Sequence, residues 1–230
     1  MPEHVSVIIP CRNGAAYLAQ AIASARLEGA HEIIVVDDGS EDASADIAES
    51  ADAVLLHRQP PMGAAAARNA GIAMATGGYI GFLDADDLWT QGSLACRLSA
   101  LKHDPGAAAA YGHVRHFYSP ELDAASRAAI VCPSGAQPVR LPGSILFRRE
   151  VFTRIGGFDE TLKIGEMFDF IAKFGEAGFA AVCLADVVLA RRLHARNMTR
   201  AGNAARSGYL HSLKAVLDRR RMLVASGKPT

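Results

Sequence analysis

The sequence lacks most of what marks an extracellular or membrane-spanning chain. Its four cysteines, Cys11, Cys96, Cys132 and Cys183, are scattered and form no CxxC pair. That argues against a structural zinc module and fits a reduced chain better than a disulfide framework. No apolar run approaches the roughly 20 residues that cross a bilayer, and the alanine-rich stretch Gly63–Ala75 is interrupted by Arg68 and Asn69. The start, Met1-Pro2-Glu3-His4, has no basic region, long apolar centre or cleavage site of a signal peptide, so a cytoplasmic location is expected. Net charge is missing too. Lys and Arg number 24 against 24 Asp and Glu, which gives no broad footprint for nucleic acid or a membrane surface. Apolar residues, by contrast, make up 50% of the 230. That suffices for one sizeable core, or for two lobes sharing one.

Period and punctuation organise the first half. Val5–Pro10 is a β-branched run closed by proline and reads as a buried strand. Asn13 is in place to cap a helix running to about Leu27, with Leu18 and Ile22 on one face. Further strands are expected at Glu32–Asp38, Ala53–His57 and Tyr79–Leu83, with helices from about Asp42 and from Gly63 to Ala75. Such alternation predicts a mostly parallel sheet with helices on both faces. Ligands of such sheets sit beyond the carboxyl ends of the strands, where Pro10, Asp37-Asp38 and Asp84 fall. The second half is less regular. Ala107–Phe117 reads as a strand, Val139–Phe147 and Phe179–Leu189 as extended, and Val151–Ile155 and Gly165–Ala177 as helices. A short helix is expected near Ala124, and helical spacing from Asn203 to Leu223. The expected organisation is a first lobe over 1–110, a second over 111–202 and a helical tail over 203–230.

Three clusters carry chemistry. Asp84-Ala85-Asp86-Asp87 delivers three carboxylates to one strand end. Unpaired they repel one another, and a hard cation such as Mg²⁺ or Mn²⁺, completed by phosphate oxygens and water, offsets that repulsion. The plain alternative is an acidic turn that caps the helix after Thr90. Asp37-Asp38-Gly39-Ser40 is either a turn or a strand-end carboxylate accepting from a base N–H or ribose hydroxyls. Arg68, on an otherwise alanine-coated helix, belongs beneath the acidic cluster or beside a diphosphate, unless it simply faces solvent. A G-x-G-x-x-G loop after the first strand is absent, which disfavours a dehydrogenase. Pro10-Cys11-Arg12-Asn13-Gly14 is not the glycine-rich basic loop of a nucleotidyltransferase.

These elements, in this order, resemble the N-terminal half of family 2 glycosyltransferases. The residues carrying the likeness are Val5–Pro10, Asn13, Val35–Ser40, Gly63 with Ala67-Arg68-Asn69-Ala70-Gly71, and Phe82–Asp87. The resemblance implies the GT-A fold: an α/β, Rossmann-like, mostly parallel central sheet with a smaller acceptor-side lobe. It also implies a nucleoside-diphosphate sugar donor of UDP or GDP type, a hydroxyl acceptor, inversion at the anomeric carbon and a Mg²⁺ or Mn²⁺ cofactor. Pro10, Arg12, Asn13, Asp38, Gly63, Arg68, Asp84, Asp86 and His194 then become the nucleotide-sugar site. Asp84, Asp86 and His194 become the metal site, with Asp86 the direct ligand. Arg12 departs from the family, which often has an aromatic residue there.

The second half is similar to the family's acceptor lobe through Gly156-Gly157-Phe158-Asp159-Glu160 and through Arg192-Leu193-His194 followed by Asn197. His194 is either a donor-site residue or a histidine in a basic surface stretch. The cations Arg191, Arg192, Arg196, Arg200 and Arg206 either bind phosphate or form a solvated face. The family's base motif is Glu-Asp-x-Asp, whereas here the segment is Glu166-Met167-Phe168-Asp169. Methionine accepts no proton. Asp169 or Glu166 therefore substitutes as base, or neither does and the chain is a degenerate nucleotide-sugar-binding protein.

Overall fold

The computed structural model describes residues 4–195, 197, 210, 212–214, 216–219 and 221. In chain order it contains β1 (Val5–Cys11), α1 (Leu18–Leu27), β2 (Glu32–Asp38), α2 (Ser44–Glu49), β3 (Val54–Gln59), α3 (Ala64–Met74), β4 (Tyr79–Phe82) and β5 (Leu88–Trp89). Then follow α4 (Ser93–His103), β6 (Ala107–Tyr118), α5 (Ala124–Ala128), β7 (Gln137–Pro138), a 3₁₀ turn (Pro142–Ser144), β8 (Ile145–Arg148), α6 (Glu150–Ile155), α7 (Glu166–Glu176) and β9 (Ala180–Leu193).

The strands form one continuous sheet in the order β3-β2-β1-β4-β8-β6-β9-β5, with β7 pairing β6. β1, β2, β3 and β4 run parallel, while β8 runs against both β4 and β6. β6 and β9 are parallel again, with register shifts near Ala107, Tyr111 and His113. This is the mostly parallel α/β sheet that the alternation predicts. The expected lobe boundary at residue 110 lies inside β6, so both halves share this sheet.

β1 and β2 read as unbroken apolar runs because both faces are covered. Val7, Ile9, Ile33 and Val35 join one core with Leu18, Ile22, Leu94 and Leu101. Ile8, Ile34 and Val36 join a second with Ala67, Phe82, Phe147, Phe152 and Phe170. The alanine face of α3 serves close packing. A Cβ added at Gly71 would stand 2.3 Å from Ile8 Cγ2, which overpacks the layer.

Asn13 is not the cap expected. α1 begins at Leu18, with Tyr17 preceding it. Asn13 instead takes φ 53° and stitches the loop after β1 to the loop after β2. Its Oδ1 accepts from Glu41 N at 2.8 Å, and its N donates to Ser40 Oγ at 2.9 Å. The loop-to-loop bonds outcompete the cap because they also engage Gly14 N with Ser44 Oγ and Ala15 N with Asp42 Oδ2. The alternative reading of the Asp84 cluster, an acidic turn capping the helix after Thr90, is also displaced. Glu28, at the end of α1, accepts from Gly92 N and Leu94 N, each at 2.9 Å, and so caps α4. The acidic cluster is free of that duty. The expected helix over 203–223 and the cations Arg196, Arg200 and Arg206 lie mainly outside the described residues, although described positions from 210 to 221 are helical.

Candidate active site

Beyond the carboxyl ends of β1, β2 and β4 opens a cleft of about 1530 Å³. Pro10, Arg12, Asn13, Asp38, Gly63 and Arg68 line it. So do Asp84, Asp86, Glu166 and His194. Every proposed donor-site residue therefore borders the same space. Asp169 does not.

The two halves of the Asp84–Asp87 cluster have different environments. Asp84 and Asp86 keep 37% and 33% of their side chains exposed, so their charges face the cleft. Asp87 is buried at 4% and accepts from Arg192 N at 2.9 Å. Burial, then the charges of Asp86 and Asp84, push its carboxyl well above the usual range. Its role is to fix the turn against β9, while the other two carboxylates address the ligand space.

Arg68 is the central cation. It is 4% exposed, donates to Asp84 Oδ1 at 2.8 Å and to Glu166 Oε1 at 2.7 Å, and lies 5.7 Å over the Phe158 ring. Burial works against its charge, but Asp84 and Glu166 outweigh it and hold the guanidinium protonated. Its Nε is buried without a hydrogen-bond partner among the described residues. Neighbouring Asn69 clasps the Gly156–Glu160 segment. It donates to Phe158 O at 2.9 Å and Glu160 Oε1 at 2.8 Å, and accepts from Phe158 N at 2.8 Å. A Cβ at Gly157 would meet Asn69 Oδ1 at 2.2 Å, so only glycine allows this approach. The two sequence motifs, distant in the chain, are one contact.

Asp37 and Asp38 each anchor a loop at the end of β2. Asp37 forms the turn, accepting from Ser40 N at 3.1 Å. Asp38 is 3% exposed and accepts from Gln59 Nε2, Met62 N and Gly63 N, each at 2.8 Å. It thereby shapes the loop into α3, where Gly63 holds φ 105°, a conformation suited to glycine.

On the opposite wall, His194 Nε2 stands 2.9 Å from Asp86 Oδ2, and Asn197 Nδ2 reaches the same oxygen at 3.4 Å. His194 is 8% exposed, not the surface histidine of the alternative reading. Arg192 is a clamp. Its Nε donates to Asp86 O at 3.0 Å, its Nη2 to Gln20 Oε1 at 2.7 Å, and its guanidinium lies 4.7 Å over Tyr17 and 4.8 Å over Phe117. Tyr17 escapes sequence reasoning. It packs its ring 4.9 Å from His194 and bonds Glu121 across the cleft mouth. No spacing rule signals it, because its partners arrive from β9 and from the segment after β6.

The carboxylates of α7 separate. Glu166, in the first turn, turns to Arg68 and the cleft. Asp169 is fully buried and pairs with Arg219 Nη1 at 2.6 Å and Lys173 Nζ at 2.9 Å. It faces the C-terminal helical residues, so Asp169 as base finds no geometric support. Met167 is 8% exposed and belongs to the phenylalanine core.

Among the described residues, no group of three or more His, Cys, Asp or Glu side chains is arranged to hold a metal alone. Mg²⁺-type ions need only one or two protein carboxylates where phosphates supply the rest, so the half-exposed Asp84 and Asp86 fit such an ion. No described helix is long and apolar enough to cross a membrane.

The family model for glycosyl transferase family 2 matches residues 6–162. The chain is 33% identical over 196 residues to a pre-mycofactocin glycosyltransferase of Mycobacterium tuberculosis, covering 77% of this chain and 40% of that protein. It is 33% identical over 195 residues to the succinoglycan biosynthesis protein ExoU of Rhizobium meliloti, covering 75% and 57%. The chain thus spans about half the length of these curated relatives. Among solved structures, Staphylococcus aureus TarS 1-349 in complex with UDP-GlcNAc superposes with a TM-score of 0.69 at 18% identity, over 86% of this chain and 61% of that one. The mannosyltransferase PcManGT from Pyrobaculum calidifontis, in complex with GDP-Man and Mn²⁺, gives 0.65 at 23%, over 87% and 60%. At these identities the superpositions speak to the fold alone. The chain belongs to glycosyl transferase family 2 and has the GT-A fold.

Proposed function

We propose that the protein transfers a sugar from a UDP- or GDP-linked donor to an acceptor hydroxyl, with inversion and with a divalent metal. One observation carries this reading: Asp84 and Asp86, freed from capping α4, face the same cleft as Glu166, and Arg68 ties Asp84 to Glu166. Pro10 and Asp38 border the nucleoside end. Asp86, with Asp84, would hold Mg²⁺ or Mn²⁺, which when bound offsets the charge of the departing diphosphate. Arg68, paired with Asp84 and Glu166, supports the same charge from within the protein. His194 orients Asp86.

In the transfer, the acceptor oxygen bonds to the anomeric carbon as the bond to the diphosphate oxygen breaks. The diphosphate leaves with the electron pair, and the hydroxyl proton passes to a carboxylate. We assign that carboxylate to Glu166, not Asp169. Glu166 lines the cleft and is oriented by Arg68 through Oε1, which leaves the proton to Oε2. The second reading, a degenerate binding protein, is favoured by Met167 alone. Isothermal titration of UDP and GDP with Mn²⁺, beside assays of nucleotide release from their sugar conjugates over an acceptor panel, separates the two. Binding with turnover supports the transferase. No binding of either nucleotide overturns both.

A further inference from the structure

The cleft has two chemically unlike walls. Carboxylates and Arg68 dominate the strand-end side. On the α7 side, Lys163 and Glu166 share the wall with an apolar strip of Ile164, Met167, Phe168 and Ile171, with Leu141 and Pro142 nearby. Arg140 and Ile171 also border one small adjoining cavity, which places the 140–142 segment beside α7.

Phe168 stands out on this wall. Phe170 and Phe174 on the same helix are 0% and 4% exposed and pack edge-on against Phe147 in the core, whereas Phe168 is 47% exposed. It takes part in none of the ring contacts found among the described residues. A large apolar ring held open to a cleft gains nothing for folding and offers a ligand a flat apolar face. Met167 beside it replaces the carboxylate that the family resemblance leads one to expect, so this wall has lost a negative charge as well. A bare sugar here would find few hydrogen-bond partners on Ile164, Met167, Phe168 and Ile171, and its buried hydroxyls would go unsatisfied.

Resting on the transferase reading, we propose that Phe168, flanked by Ile164 and Ile171, is an acceptor platform. The acceptor it selects carries an apolar aryl or alkyl group next to the hydroxyl that receives the sugar. Glu166 and Phe168 both line this cleft, so the apolar group and the carboxylate that takes the proton share one space.

The test uses the full chain with UDP and Mn²⁺ present and two probes, phenyl β-D-glucopyranoside and methyl β-D-glucopyranoside, titrated by calorimetry. The phenyl probe should bind on the order of 10-fold more tightly, the gain from burying one ring against another. Phe168→Ala should bring the two affinities together, Phe168→Trp should retain the preference, and neither should change UDP affinity or the thermal midpoint. Equal affinities in the wild type, absence of binding by both probes, or a preference that survives Phe168→Ala overturns the proposal. The UDP titration reads the donor site separately. Absence of both UDP and GDP binding with an intact phenyl preference sinks the transferase reading and leaves Phe168 as an aryl-binding surface.

Discussion

The strand-end rim and the α7 wall each present carboxylates, yet the two regions place them by different rules. On the rim, Asp38 and Asp84 follow directly from buried parallel strands whose register leaves no freedom. Whatever ends β2 or β4 must emerge at the cleft. On the wall, Glu166 and Asp169 sit three residues apart on one helix and still diverge. One meets Arg68 from α3, the other Arg219 from the C-terminal helical residues. Strand ends thus inherit their direction from the sheet, whereas helix positions take theirs from whichever neighbour packs alongside.

The sharpest way to break this contrast is to neutralise each α7 carboxylate in turn. Glu166→Gln should lower kcat by ~10²- to 10⁴-fold while UDP affinity holds. A larger kcat loss in Asp169→Asn at unchanged stability would reverse the assignment. On the rim, Asp86→Ala should remove the Mn²⁺-dependent increment of nucleotide binding without moving the thermal midpoint. An unchanged titration would take Asp86 out of the site.

Asp169→Asn should act on stability instead, lowering the unfolding free energy by about 2–3 kcal/mol because Arg219 and Lys173 lose a buried partner. The figure sits below that for fully buried pairs because both cations are partly exposed. Urea unfolding reads it. Gly157→Ala tests the seam between the regions. Its Cβ displaces Asn69, at a cost of about 1–3 kcal/mol, and kcat should fall with it as the Gly156–Glu160 segment shifts beside Arg68.

The smallest effect belongs to Glu121 at the cleft mouth. The hydroxyls of Ser119 and Tyr17 hold its carboxyl down to about 2, against an ordinary 4.5. A depressed folded value contributes stability that is present above about pH 4.5 and lost as the pH falls toward 2. Glu121→Gln should flatten that part of the thermal-midpoint profile, by under about 1 kcal/mol because the group is solvent-screened. A profile identical to wild type would show the hydrogen bonds of Glu121 with Tyr17 and Ser119 to be inert.

Much of the rim was legible because its signals are local. β-branched runs, Pro10 and Gly63 set strands and turns at distances the chain itself prescribes, and Asp38, Asp84 and Asp86 followed. Asn13 misled because its side chain suits both a helix cap and a loop bond, and the loop after β2 supplied the stronger partner. Asp169 misled because spacing on a helix says which residues share a face and not what covers that face. Tyr17 and Glu28 carried no pattern of their own, since each acts through a partner more than 60 residues away, and Asn69 was legible as part of a motif but not as the clasp on Phe158.

By itself, the sequence determined the alternation of strand and helix, the parallel core and the acidic strand ends, because hydrophobic period and turn chemistry act over a few residues. Only the tertiary structure decided that Glu28 caps α4, that Arg68 joins Asp84 to Glu166 and that Asp169 faces inward. Those outcomes depend on which distant side chain arrives to satisfy a buried charge or an open amide, and packing alone brings them together.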